Sequence, residues 1–339
     1  MKTDTPRDRS DRKSGSPQAP LLGRRALLQS AAGLATVTAL GTAGALQAHD
    51  WEEIPLWTGR PPGTGNVAGP EKIGGEGTGF GAVSNVSNPR MRVYRPNHPN
   101  GRAVVICGGG GYFRIQLWKE STPAARWLQT RGYTVFELIY RLPNDGWEAS
   151  APFADAQRAM KIVRTRAAEF GVRPDAIGIM GQSAGGHLAG FTALQPGRKL
   201  YEGADRYESV SARPDFAALL FPVVSLRKPF DTRSRKEIIG TKPTREAEEA
   251  WSLETYAAKD APPMILFSAA DDPTTPPAHN IALFEALNRA GGSVELHIFA
   301  NGGHGWGLGT PGQTLSQWPD LLATWLDTQM TDNKRSGGQ

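Results

Sequence analysis

"IGIMGQSAGGHLAG", Ile177–Gly190, passes from an apolar run through glycines around a single serine and on to a histidine. The pattern Gly181-x-Ser183-x-Gly185 is weak by itself in a chain with 40 glycines, and its setting gives it weight. An apolar strand, a very tight turn and a helix in direct succession would lift Ser183 to the C-terminal edge of a sheet, where a base can reach its hydroxyl. Side chains at Gly181 or Gly185 would clash where strand and helix cross, and Ala184 and Gly186 keep the turn slim.

Working outward, the same rhythm repeats. "RMRVYRP" (Arg90–Pro96) alternates like a strand; "AVVIC" (Ala103–Cys107), "TVFELIY" (Thr134–Tyr140), "FAALLFPVV" and "MILFSA" (Met264–Ala269) read as buried strands, and "VELHIFA" (Val294–Ala300) follows. Helices are expected at Pro123–Thr130, Pro152–Phe170, Ala184–Leu194, Ala278–Ala290 and about Leu315–Met330. In the second, Phe153, Ala156, Met160, Val163, Ala167 and Phe170 share one face. The fold class is therefore α/β, with a mostly parallel central sheet flanked by helices. Two stretches, 195–214 and 225–263, interrupt the alternation and are candidate lid-like insertions over the ligand-binding edge.

A serine nucleophile needs a base and an orienting acid, which in this architecture follow it in the order acid, then histidine, at later strand ends. "ADDPTTPP" after Met264–Ala269 offers Asp271 and Asp272, and "NGGHGWG" after Val294–Ala300 offers His304. Of the six histidines, His49, His98, His279 and His297 fall at a junction, in a loop, within a helix and within a strand. His187 sits four residues past Ser183 and is assigned to packing and hydrogen bonding beneath the turn. That leaves His304 as the base. "CGGGGYF" (Cys107–Phe113) follows the first apolar strand and supplies unpaired amides for an oxyanion. A phosphate cradle does not fit, because Tyr112 follows the four glycines and no helix opens at the required spacing. Cys107 ends a buried strand and has no neighbouring base.

The charge of +5 is concentrated at the start of the chain. The first 48 residues carry seven basic and three acidic side chains, and the remainder holds 31 basic against 30 acidic ones, which removes the basis for a nucleic-acid partner. That segment, with Arg24-Arg25 ahead of "ALLQSAAGLATVTALGTAGALQA", resembles a twin-arginine secretion signal. It is too weakly apolar for a stable membrane span, so a periplasmic or secreted location is expected. The expected layout is a signal over 1–48, a Gly/Pro-rich arm over 49–89, an α/β domain over 90–331 and a disordered tail over 332–339. One cysteine excludes an internal disulfide, and neither a metal nor an organic cofactor is expected.

"GQSAGGHLAG" with "CGGGGY", "YRLP", "DAQRAM", "ADDPTTPP" and "GGHGWGL" resembles the α/β-hydrolase esterases of the acetyl-xylan esterase-like group, related to the hormone-sensitive lipase family. The resemblance implies the α/β-hydrolase fold, with Ser183 as nucleophile, Asp272 as orienting acid, His304 as base, and the amides of Gly110, Gly111 and Ala184 as oxyanion donors. It further implies an acyl ester substrate, small or on a polysaccharide, with a short acyl group. Gly108 stands where relatives carry His or Pro, which makes Gly109 an alternative donor, and Gln182 stands where Phe is common. Tyr112 and Trp306 are the candidate substrate-binding residues, and Asp155 and Arg158 are read as helix-surface ion-pair formers. Two rival functions are a serine peptidase of the prolyl-oligopeptidase type and a non-catalytic carbohydrate-binding protein on the same fold.

Overall fold

Along the strand Ala103–Cys107, Ala103, Val105 and Cys107 enter one apolar cluster while Val104 and Ile106 enter another. A strand apolar at every position must be covered on both faces, and here it is. The computed structural model describes residues 52–336 apart from 66, 68 and 204. The expected signal at 1–48 lies outside the described residues.

In chain order the elements are β1 (Glu52–Pro55), β2 (Lys72–Ile73), β3 (Ala82–Ser84), β4 (Arg90–Tyr94), β5 (Ala103–Cys107), β6 (Ile115–Gln116), α1 (Thr122–Thr130), β7 (Thr134–Ile139), α2 (Ala151–Thr165), β8 (Ile177–Gln182), α3 (Ala184–Leu194), β9 (Ala217–Leu220), α4 (Arg233–Ile239), α5 (Arg245–Ala250), β10 (Met264–Ala269), α6 (Ala278–Ala290), β11 (Val294–Phe299) and α7 (Trp318–Ser336). An eight-stranded sheet runs β1-β4-β7-β5-β8-β9-β10-β11, and a three-stranded one runs β2-β3-β6. From β7 to β11 every pairing is parallel; β4 and β1 are antiparallel additions at one edge. Residues of α2, α3 and α6 fill one cluster and those of α1 and α7 the other, so the helices lie on both faces.

The α2 face expected from its spacing is buried from Phe153 to Phe170, although the α-helix gives way to a tighter turn at Ala167–Phe170 before Gly171 takes a left-handed conformation at φ 64°. Every residue of α3 is buried. It packs against β8, β9 and α2.

Two boundaries differ from the expected layout. The arm is not wholly irregular: β1 pairs with β4 in the main sheet, with Ile54 opposite Met91, and Leu56 N–H donates to Pro89 O at 3.1 Å. Only Ile54 within β1 is buried, so a four-residue edge strand has no alternation long enough to read. At the other end α7 continues to Ser336, into the stretch expected to be a tail, because no glycine or proline interrupts it between Pro319 and Gly337.

Candidate active site

Ser183 stands between the end of β8 and the start of α3 with φ 52° and ψ −120°, a conformation that L-residues rarely adopt. Its backbone is pinned: the N–H donates to Leu220 O at 3.0 Å, and its carbonyl accepts from His187 N and Val223 N, each at 3.1 Å. The flanking glycines leave no room for a side chain. A Cβ on Gly181 would lie 2.0 Å from Gly185 O, and one on Gly185 would lie 2.1 Å from Cys107 O. The turn therefore holds Ser183 at the sheet edge by close backbone contact.

His304 Nε2 lies 2.9 Å from Ser183 Oγ, and its Nδ1 lies 2.8 Å from Asp272 Oδ2. A carboxylate only accepts, so the Nδ1 proton points to Asp272 and the Nε2 lone pair faces the serine. The Asp272 side chain is fully buried. Its Oδ1 accepts from Thr274 N at 2.7 Å and Thr275 N at 2.9 Å, and Thr275 Oγ1 lies 3.0 Å from Oδ2. Asp271, the other candidate acid, faces elsewhere. Its Oδ1 accepts from Gly302 N at 2.8 Å and Gly303 N at 2.7 Å, which fixes the loop carrying His304. The adjacent acids thus have separate tasks, one on the imidazole and one on its loop.

The glycine loop passes over Ser183 with Gly110 at φ 116° and Gly111 at φ 64°. Among the described residues the amides of Gly110, Gly111 and Ala184 donate to no partner. The Gly109 amide is already taken, since it donates to Glu120 Oε2 at 2.9 Å. Burial raises the Glu120 pKa above the ordinary carboxylate value, while the nearby His304 and the Gly109 amide pull it down. Glu120 is a site residue that the sequence reading missed; in the chain it is one acid in the charged pair Lys119-Glu120, with nothing to mark it as buried.

A cavity of about 280 Å³ opens at Ser183 and His304. Gly110, Gly111, Phe113, Arg114 and Glu120 form one wall, and Thr232, Arg233 and Ser234 from the 225–263 insertion form another. That insertion folds into α4 and α5, with Thr232 Oγ1 capping α4 through Arg235 N at 3.1 Å. The other insertion, 195–214, borders a separate cavity that includes neither Ser183 nor His304.

Two expected substrate-binding residues are not at this cavity. Tyr112 is fully buried, because its φ of 62° after Gly111 turns the ring into the core, where its hydroxyl meets His187 Nδ1 at 2.8 Å. Trp306 packs against Phe221 with ring centroids 4.3 Å apart and is absent from the cavity lining. Its closeness to His304 in sequence does not carry over, because glycines on either side let the chain turn between them. Asp155 and Arg158 are buried rather than on the surface: Asp155 pairs with Arg141, and Arg158 with Asp205 and Glu208.

Two other histidines are held neutral. His187 Nε2 donates to Trp251 O at 2.7 Å, and His279 Nδ1 accepts from Val224 N and Ser225 N at 3.1 and 3.2 Å. Burial lowers the pKa of each from 6.5 to about 4. Between those values the unfolded chain binds protons that the folded chain refuses, so this stability is complete above pH 6.5 and is lost as pH falls toward 4. The urea midpoint is expected to drop between about pH 7 and about pH 5. In His279→Asn, whose amide oxygen can accept the same two N–H groups, the drop should be smaller; an equal drop would contradict the assignment.

The strand–serine–helix turn, the acid and histidine on later strand ends, and the mostly parallel sheet define the α/β-hydrolase class. Within that class the chain belongs to the BD-FAE family, whose model matches residues 91–287. It is 31% identical over 250 residues to an acetylxylan esterase of Xylanibacter ruminicola, a match covering 72% of this chain and 49% of that protein. The chain thus spans about half the length of this curated relative. Among solved structures, an acetyl ester-xyloside bifunctional hydrolase from Caldicellulosiruptor lactoaceticus superposes with a TM-score of 0.66 at 31% identity, covering 71% of this chain and 88% of that one. A thermophilic esterase from Thermogutta terrifontis with propionate bound gives a TM-score of 0.59 at 27% identity, covering 73% and 90%. These relatives lend no support to a peptidase or to a non-catalytic binding protein.

Proposed function

We propose that this chain is a serine esterase that removes short acyl groups, acetyl foremost, from xylan or a related carbohydrate. The observation that carries the reading is the unbroken path from Ser183 Oγ through His304 to the buried Asp272 carboxylate, at 2.9 and 2.8 Å. His304 Nε2 takes the serine proton as Oγ attacks the ester carbonyl. The tetrahedral oxyanion forms beside the free amides of Gly110, Gly111 and Ala184, which act as the oxyanion hole. Collapse releases the alcohol with the proton from His304 and leaves an acyl-serine. A water, deprotonated by His304, then frees the acid and restores Ser183.

A cavity of only about 280 Å³ favours a short acyl group over a lipid chain. The carbohydrate assignment draws on the acetylxylan and acetyl ester-xyloside activities of the relatives. Beside cavity-lining Lys119, exposed Trp118 and Phe80 stand edge to face at 5.1 Å and offer rings on which a sugar can stack. The resemblance of the Arg24-Arg25 segment to a twin-arginine signal supports a periplasmic or secreted site of action.

The test combines acetate release from acetylated xylan with turnover of p-nitrophenyl acetate, and with peptide mapping after exposure to a dialkyl p-nitrophenyl phosphate. Both substrates should be cleaved, and one phosphoryl group should be found on Ser183. Cleavage of p-nitrophenyl acetate without release from xylan would overturn the carbohydrate assignment, and label absent from Ser183 would overturn the acyl-enzyme route.

A further inference from the structure

Three basic side chains, Arg114, Lys119 and Arg233, line the cavity at Ser183 against one carboxylate, Glu120. That carboxylate is buried and committed to the Gly109 amide. Arg233 is also engaged, with Glu237 Oε1 at 2.6 Å and Asn144 Oδ1 at 3.0 Å. Arg114 differs from both. Among the described residues its side chain has no ion pair or hydrogen bond, and its Nε is buried without a partner. Its guanidinium lies 4.9 Å from the centroid of Phe113, on which Arg233 also sits at 5.0 Å.

A guanidinium held over an aromatic ring while its N–H donors stay unspent suits capture of a carboxylate. Packing against the ring also means that less rotamer freedom is lost when a ligand arrives. Lys119, exposed beside the His304 loop, adds a second positive charge at the mouth. Beyond residue 48 the chain carries nearly balanced charge, so this positive field belongs to the cavity and not to the protein as a whole.

We infer that the preferred ester carries a carboxylate in addition to its scissile bond, held by Arg114 with Lys119 alongside. The inference rests on the esterase reading above and narrows its substrate class. An acidic sugar unit would supply the carboxylate from the alcohol side, and a dicarboxylic half-ester would supply it from the acyl side.

The experiment measures kcat/KM for two matched pairs: 4-acetoxybenzoate against phenyl acetate, and p-nitrophenyl hemisuccinate against p-nitrophenyl butyrate. In the wild type at low salt the charged member of at least one pair should be preferred, and the pair that responds identifies the side on which the carboxylate lies. In Arg114→Gln that charged-to-neutral ratio should fall by roughly tenfold or more, the size of one charge-assisted hydrogen bond. Arg114→Lys should keep part of the preference, and added salt should erode it in the wild type. The neutral ester serves as the folding control within each variant. Neutral esters cleaved with both ratios unmoved by Arg114→Gln would overturn this inference alone, whereas a wild type that cleaves neither member of either pair would overturn the esterase reading with it.

Discussion

Ser183→Ala is expected to lower kcat on acetyl esters by roughly 10⁴- to 10⁶-fold, with the fold intact. The serine hydroxyl caps no helix and meets only His304, so its removal leaves no buried group without a partner. The backbone bonds to Leu220, His187 and Val223 are made by main-chain atoms and survive the change. Thermal unfolding close to that of the parent, with acetate release reduced to the background, is the expected pair of results. Residual turnover within tenfold of wild type would remove Ser183 from the mechanism.

Asp272→Asn is expected to lower kcat by roughly 10⁴-fold, for a reason visible in the hydrogen bonds. Two backbone N–H groups, from Thr274 and Thr275, point at Oδ1. In the variant they hold the amide oxygen there, which turns the amide nitrogen toward His304. A donor facing Nδ1 makes Nδ1 the acceptor and moves the imidazole proton to Nε2, where it blocks transfer from Ser183. Asp271→Asn keeps an acceptor for Gly302 and Gly303 and should cost about tenfold at most. The contrast between these neighbours, read as kcat, separates the acid that orients the base from the one that shapes its loop. Equal effects would contradict the division.

The turn around Ser183 was legible because its chemistry is local: glycines, serine and helix follow one another within a dozen residues, and the bounds of α3 match the expected ones. His304 and Asp272 were legible because parallel strands deliver their loops to the same sheet edge, so chain order stands in for distance. The choice between Asp271 and Asp272 depended on resemblance, since both occupy the same loop and only the hydrogen bonds of the folded chain tell them apart. Tyr112 misled because one left-handed residue reverses the direction of a side chain, and nothing in "CGGGGYF" states which residue takes that conformation. Glu120 and Arg114 come from the segment between the glycine loop and α1, and nothing in that stretch shows that the fold brings His304 and Arg233, each more than a hundred residues further on, to the same cavity. Short edge strand β1 escaped for another reason: its place is set by pairing with β4, and its own residues show no period.

The cavity has two walls of different origin. The reacting groups sit on strand ends and on a turn locked by backbone contact, while Thr232, Arg233 and Ser234 arrive on a separate excursion between β9 and β10. Heritable change in that excursion can therefore redraw the range of esters accepted without disturbing bond cleavage, because the two are encoded in different stretches of the chain.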